Sequence, residues 1–257
     1  MNTLKKGDIV SRKSHNNDIL FYIEDIFIDK NIAKLKGIVV RIEADSYIED
    51  LILADETRVS KAENLVNKMI NSRRNIDSMS NNYGKILHLD GDKSYSKKTE
   101  QYYKKRGLNY VVRHVTEQKQ PYEVEQLLKM IKPDILVITG HDGMLKKGRN
   151  YNDINNYRNS KYFIKAVRAA RNIYPDKNDL IIFAGACQSF YEALIYAGAN
   201  FASSPGRILI DFLDPLIIAE KVSITDRKKI VFMSDLEGVI RNGRRAVGGI
   251  GAVGKCL

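Results

Sequence analysis

The chain has 257 residues, 44% of them hydrophobic and 28% charged, with a formal net charge of +11. That composition excludes a disordered or fibrous protein, and no apolar run approaches the roughly 20 residues a membrane helix needs. With two cysteines, Cys187 and Cys256, there is no disulfide framework or Cys-rich metal site; with no apolar N-terminal segment, a soluble intracellular protein is expected.

Charge is uneven. Residues 1–55 hold 8 basic and 10 acidic side chains, so the excess of positive charge lies in residues 56–257. A basic chain invites a nucleic-acid reading, but solvated helix faces explain it as well.

Along the chain, Asp8–Arg12, Leu20–Ile28, Asn31–Ile38, Val39–Ala44 and Leu51–Leu53 read as short strands, with a turn at Asp29-Lys30-Asn31. Five short strands predict a small SH3-like β domain over residues 1–54. Residues 55–84 predict a connecting helix (Glu56–Asn71) and a polar linker containing Ser72-Arg73-Arg74-Asn75, an exposed stretch suited to nicking.

From residue 85 strands and helices alternate. Lys85–Leu89, Tyr110–His114, Asp134–Thr139, Asp179–Ala184 and Phe201–Ser203 predict strands; Ser94–Arg106, Tyr122–Ile131, Ile154–Ile173, Gln188–Ala197 and Asp214–Ser223 predict helices. Near-continuous apolar strands between amphipathic helices predict an α/β domain over residues 85–257, its mostly parallel sheet covered on both faces. Chemistry in such sheets gathers at the carboxyl ends of the strands.

Two candidates follow strands at that rim: His141 in Gly140-His141-Asp142-Gly143 and Cys187 in Gly185-Ala186-Cys187-Gln188-Ser189. A thiol needs a base to become a nucleophile, and imidazole is the usual one. A helix opening at Cys187 would lower the thiol pKa further. Taken singly, each residue is as easily a core cysteine or a loop histidine; jointly, His precedes Cys by 46 residues. Ala186-Cys187-Gln188 also fits three of the five places of the caspase signature Q-A-C-[RQG]-G. Papain-like order is excluded, because none of the four histidines (His15, His88, His114, His141) follows Cys187. A non-enzymatic RNA-binding or coat-assembly module built on the basic α/β domain stays open as the alternative.

The stretches Gly7–Ser14, Ile86–Asp92, Pro133–Asp142, Phe183–Ser189 and Ala197–Pro205 resemble the YabG family of sporulation proteases. The resemblance implies a caspase-like fold and an endopeptidase of sporulating bacteria, located in the mother-cell cytoplasm or developing spore coat. It would act on spore coat and cortex-associated proteins without cofactor, metal or nucleic acid. The family's cysteine-protease character maps onto Cys187 and His141. The oxyanion donors are then the N–H of Cys187 and that of Asp142 or Gly143, Asp142 standing where caspase-like enzymes generally have Gly. Basic specificity, also implied, calls for a carboxylate. Asp90 and Asp92 end the first strand of the α/β domain and suit a bidentate arginine contact, with Asp211 and Asp214 as fallback candidates.

Overall fold

Alternating burial in the first fifty residues builds an antiparallel sheet. β1 (Ile9–Arg12), β2 (Phe21–Phe27), β3 (Ile32–Gly37), β4 (Glu43–Tyr47) and β5 (Leu51–Leu53) pair in the order β4-β3-β2-β1-β5. Val10, Phe21, Ile23, Ala33 and Leu35 turn inward, and β2 turns into β3 through Asn31, whose left-handed φ of 52° asparagine tolerates. The computed structural model describes residues 3–71, 82–145 and 150–257; Ser72-Arg73-Arg74-Asn75, expected to be an exposed cleavage stretch, lies outside them. Helix α1 (Glu56–Asn71) follows the first sheet, Asp55 accepting the Arg58 N–H at its start.

The second sheet follows the predicted alternation. β6 (Ile86–Asp90), α2 (Lys93–Lys105), β7 (Tyr110–His114), α3 (Gln120–Ile131), β8 (Ile135–Thr139), α4 (Ser160–Ile173), β9 (Ile181–Ala184), α5 (Tyr191–Ala197), β10 (Phe201–Ser203) and α6 (Asp214–Ile224) come first. β11 (Ile230–Val231), α7 (Gly243–Ala246), β12 (Val247–Gly249) and β13 (Ala252–Val253) complete the chain. The strand order is β7-β6-β8-β9-β10-β12, parallel except that β12 runs antiparallel to β10; β11 and β13 form a separate pair. The chain is therefore an α/β protein whose mostly parallel sheet is flanked by helices and preceded by an antiparallel sheet.

Strands buried on both faces divide their side chains between two cores. Leu87, Leu136 and Ile182 pack with Leu128, Phe163, Val167 and Leu194 of α3, α4 and α5. Ile86, Val137 and Phe183 face Tyr95, Tyr102 and Tyr103 of α2 and Leu216 and Ile217 of α6, and the same cluster takes in Val10, Phe21, Ile23 and Leu35 of the first sheet. Those three tyrosines are thus core residues.

Three expected elements differ. Val39–Ala44, read as a strand of the first sheet, pairs instead with loops of the second: Val40 bridges antiparallel to Asp211 and Ile42 parallel to Asp142, and β4 starts only at Glu43. Helix α4 begins at Ser160, not Ile154, because the Asn159 N–H and the Ser160 hydroxyl are spent on the Asp142 carboxylate. Helix α5 begins at Tyr191, not Gln188; Gln188 has a φ of 55°, and Ser189 turns its hydroxyl to Asp142. Cys187 therefore does not open a helix, and the expected dipole contribution to its pKa falls away.

Candidate active site

The carboxyl ends of β6, β8 and β9 bring His141 and Cys187 to one rim, and residues 37–43, which join β3 to β4, lie across it. Both candidate side chains are fully buried. Cys187 Sγ accepts the Ile210 N–H at 3.2 Å. Burial pushes its pKa up to about 12, against the opposing pull of that hydrogen bond and of Arg41. Burial likewise lowers the His141 pKa, Asp92 pulling it back. At neutral pH the resting pair is thiol and neutral imidazole. His141 stacks on Tyr95 with centroids 5.3 Å apart and places Nε2 3.2 Å from the Gly37 carbonyl; among the described residues, no hydrogen bond joins it to Cys187.

The two loops are clipped together by Asp142. Its carboxylate accepts the N–H groups of Gly143 (2.9 Å) and Asn159 (2.8 Å) and the hydroxyls of Ser160 and Ser189. Burial still raises its pKa to about 6, the hydrogen bonds opposing. Asp142 is thus the link between the histidine and cysteine loops. Gly143 must lack a Cβ here, because that atom would lie 2.4 Å from the Glu43 carbonyl oxygen.

The backbone donors converge on one atom. The N–H groups of Cys187 (3.3 Å) and Asp142 (3.2 Å) both point at the Arg41 carbonyl oxygen. Two N–H groups on one peptide oxygen, beside a thiol, are what a tetrahedral oxyanion requires. Gly143, the other expected donor, gives its N–H to Asp142 instead. Next to Ile42, a cavity of about 310 Å³ opens, lined in part by Glu43, Met144 and Gln188.

The Arg41 side chain is fully buried. Its Nη1 lies 2.8 Å from Asp90 Oδ2, and its guanidinium sits 4.6 Å from the Tyr95 ring centroid and 5.4 Å from that of Phe212. Among the described residues, Nε and Nη2 have no hydrogen-bond partner. Burial alone would raise the Asp90 pKa, yet Arg41 holds it well below the usual carboxylate range. The contact with Arg41 is single, because Asp90 Oδ1 accepts the Asp92 N–H and His88 Nε2 stands 3.7 Å from Oδ2. The planar face of the guanidinium meets the two rings instead.

The other expected acids lie around this centre. Asp92 does not touch the guanidinium: Oδ1 caps α2 through the N–H groups of Ser94 and Tyr95, while Oδ2 accepts the Tyr22 hydroxyl and stands 3.9 Å from His141 Nδ1. Asp214 Oδ2 accepts the Asp211 N–H, Asp211 Oδ1 accepts that of Leu213, and burial raises the Asp214 pKa to about 7, with Asp211 adding to the rise. They hold the loop whose Asp211 pairs with Val40. Behind the histidine loop, Glu117 Oε1 accepts the His141 N–H at 2.8 Å, and Oε2 stands 4.0 Å from Lys36 Nζ. Among the described residues no cluster of His, Cys, Asp and Glu is suited to a metal, and no helix is long and apolar enough to cross a membrane.

Sequence reasoning missed Arg41, Tyr22, Tyr95 and Phe212. One signal for Arg41 was available: a lone charge in the apolar run Gly37-Ile38-Val39-Val40-Arg41-Ile42.

Comparison with known proteins fixes the class of molecule to which this rim belongs: the chain is a peptidase. It belongs to the YabG peptidase U57 family, which matches residues 5–257, and is a sporulation protease. It is 40% identical over 250 residues to the sporulation-specific protease YabG of Bacillus subtilis (strain 168), covering 85% of this chain and 84% of that protein. No solved structure matches it.

Proposed function

We propose that this sporulation protease is a cysteine endopeptidase that cuts after arginine with His141 and Cys187 as its dyad. The observation that carries the reading is the Arg41 peptide: its carbonyl oxygen takes the N–H groups of Cys187 and Asp142 while its guanidinium meets Asp90. A substrate arginine occupying the same place would present its carbonyl carbon to Sγ. His141 takes the thiol proton as the C–S bond forms, because burial keeps the resting thiol neutral. The oxyanion is held by the two N–H groups; His141 then returns the proton to the departing amine, and water hydrolyses the thioester. Asp92, beside Nδ1, stabilises the transient imidazolium. Spore coat and cortex-associated proteins, acted on in the mother cell or the developing coat, are the substrates the family resemblance implies.

The test is to incubate wild type, Cys187→Ala and His141→Ala with an arginine-containing peptide library and map the cuts by mass spectrometry. The expected result is cleavage after Arg, and less well Lys, by wild type alone. Activity within about tenfold of wild type in either folded variant contradicts the dyad, since losing a nucleophile or its base costs several powers of ten.

A further inference from the structure

We infer that the Arg41–Ile42 peptide bond is a cleavage site of this chain, cut in cis by Cys187, and that until it is cut residues 38–42 close the site to other substrates. The inference rests on the dyad proposed above and names its first substrate. The segment is bound as an added strand, through Val40 against Asp211 and Ile42 against Asp142. Both flanks are tied: the Glu43 N–H donates to the Asp142 carbonyl at 2.8 Å, and the Gly37 N–H to the Ile42 carbonyl at 2.9 Å. This fixes the Arg41 carbonyl between the N–H groups of Cys187 and Asp142, and the side chain in the pocket ended by Asp90.

A purely structural arginine is a poor account of the same contacts. Burying a guanidinium is unfavourable unless its donors are satisfied, and among the described residues Nε and Nη2 have no hydrogen-bond partner. The pocket reads the side chain by its planar face and one carboxylate, which suits a residue that must leave. The form is latent as well as loaded. His141 Nε2 donates its N–H to the Gly37 carbonyl, so the ring must release that contact and carry its proton on Nδ1, on the Asp92 side, before Nε2 takes the thiol proton.

The balanced step is an ordinary peptide hydrolysis. The Cys187 thiol proton passes to His141 and Sγ bonds to the Arg41 carbonyl carbon. The C–N bond to Ile42 then breaks, and the Ile42 nitrogen takes the proton from His141. Water cleaves the thioester, leaving an Arg41 carboxylate and a free thiol. Residues 1–41 stay paired through β3 to β4 and through β1 to β5, so a new flexible end, rather than a lost fragment, uncovers the rim.

Purified full-length wild type, Cys187→Ala, Arg41→Lys and Ile42→Pro are followed by intact mass and N-terminal sequencing, with an arginyl peptide assayed in parallel. Wild type is expected to yield a new N-terminus, Ile42-Glu43-Ala44, with a half-time unchanged over a roughly hundredfold range of protein concentration, as an intramolecular reaction requires. Cys187→Ala and Ile42→Pro remain intact, and Arg41→Lys is cut about tenfold more slowly or worse, keeping its charge but losing the stacked plane. Wild type that turns over the peptide while its own 41–42 bond stays whole overturns the inference and leaves the peptidase reading standing. Folded wild type that cuts neither overturns both. A cut at Arg41 that is as fast in Cys187→Ala, or that slows on dilution, overturns cleavage in cis.

Discussion

At the residue scale, the proposed arginine pocket divides charge recognition from shape recognition. Asp90 offers one oxygen to the guanidinium, the other being bound to the Asp92 N–H, and Tyr95 and Phe212 supply flat surfaces. Removing one partner of a buried charge pair typically costs about 2–5 kcal/mol. Asp90→Asn is therefore expected to lower kcat/KM on arginyl substrates about 30-fold or more. Its preference for arginine over lysine persists in part, because the rings remain. Phe212→Leu is expected to do the reverse, narrowing the Arg-to-Lys ratio while sparing more of the absolute rate; cation–π contacts are worth about 0.5–2 kcal/mol. Matched Arg and Lys peptides measured on both variants check this, and an unchanged rate in Asp90→Asn places the selecting acid elsewhere.

At the scale of single elements, α2 and the loop before it serve two purposes through one side chain. Asp92 caps the helix with Oδ1 and stands beside His141 with Oδ2. Asn caps as well as Asp, whereas Ala costs about 1 kcal/mol at such a position. Asp92→Asn is expected to melt near wild type yet lose kcat/KM, since the carboxylate that raises the His141 pKa is gone. Asp92→Ala should lose both. Thermal melts beside peptide kinetics separate the roles; equal activity of Asp92→Asn and wild type shows that Asp92 acts only as a cap.

At the scale of the whole molecule, the joint between the two sheets is polar as well as apolar, and this shapes its response to pH. Glu117, buried behind the His141 loop, has its pKa raised to about 7 by burial, with Lys36 opposing. A carboxyl harder to ionise in the folded than in the unfolded chain contributes stability that is complete below the unfolded value of 4.5 and lost as pH rises to about 7. The slope approaches one proton, about 1.4 kcal/mol per pH unit. Denaturant unfolding of Cys187→Ala with and without Glu117→Gln checks the sign. Glu117→Gln should gain relative stability as pH rises through that window, and parallel curves contradict the assignment.

The same joint explains what could be read from the sequence. Strands such as Ile135–Thr139 and Ile181–Ala184 were legible because burial on both faces leaves an unbroken apolar run, and Glycine-flanked His141 and Cys187 stood out at their ends. Val39–Ala44 was legible as extended backbone but not in its partners, because a strand that pairs with loops has the same alternation as one that joins a sheet. The starts of α4 and α5 were hidden because Asn159, Ser160 and Ser189 bond to Asp142, which is distant in sequence from all three. The ring pocket was hidden likewise: Tyr95 and Phe212 meet only once α2 and the loop before α6 are folded together.

The most direct measurement of the central claim is covalent capture of the nucleophile. An arginyl acyloxymethyl ketone peptide mixed with wild type should label one side chain, and digestion followed by mass spectrometry should place the adduct on Cys187. The rate should fall by about 30-fold or more in Asp90→Asn, and no adduct should form in Cys187→Ala. An adduct on another residue, or hydrolysis of arginyl peptides that persists in protein fully alkylated at Cys187, contradicts the account.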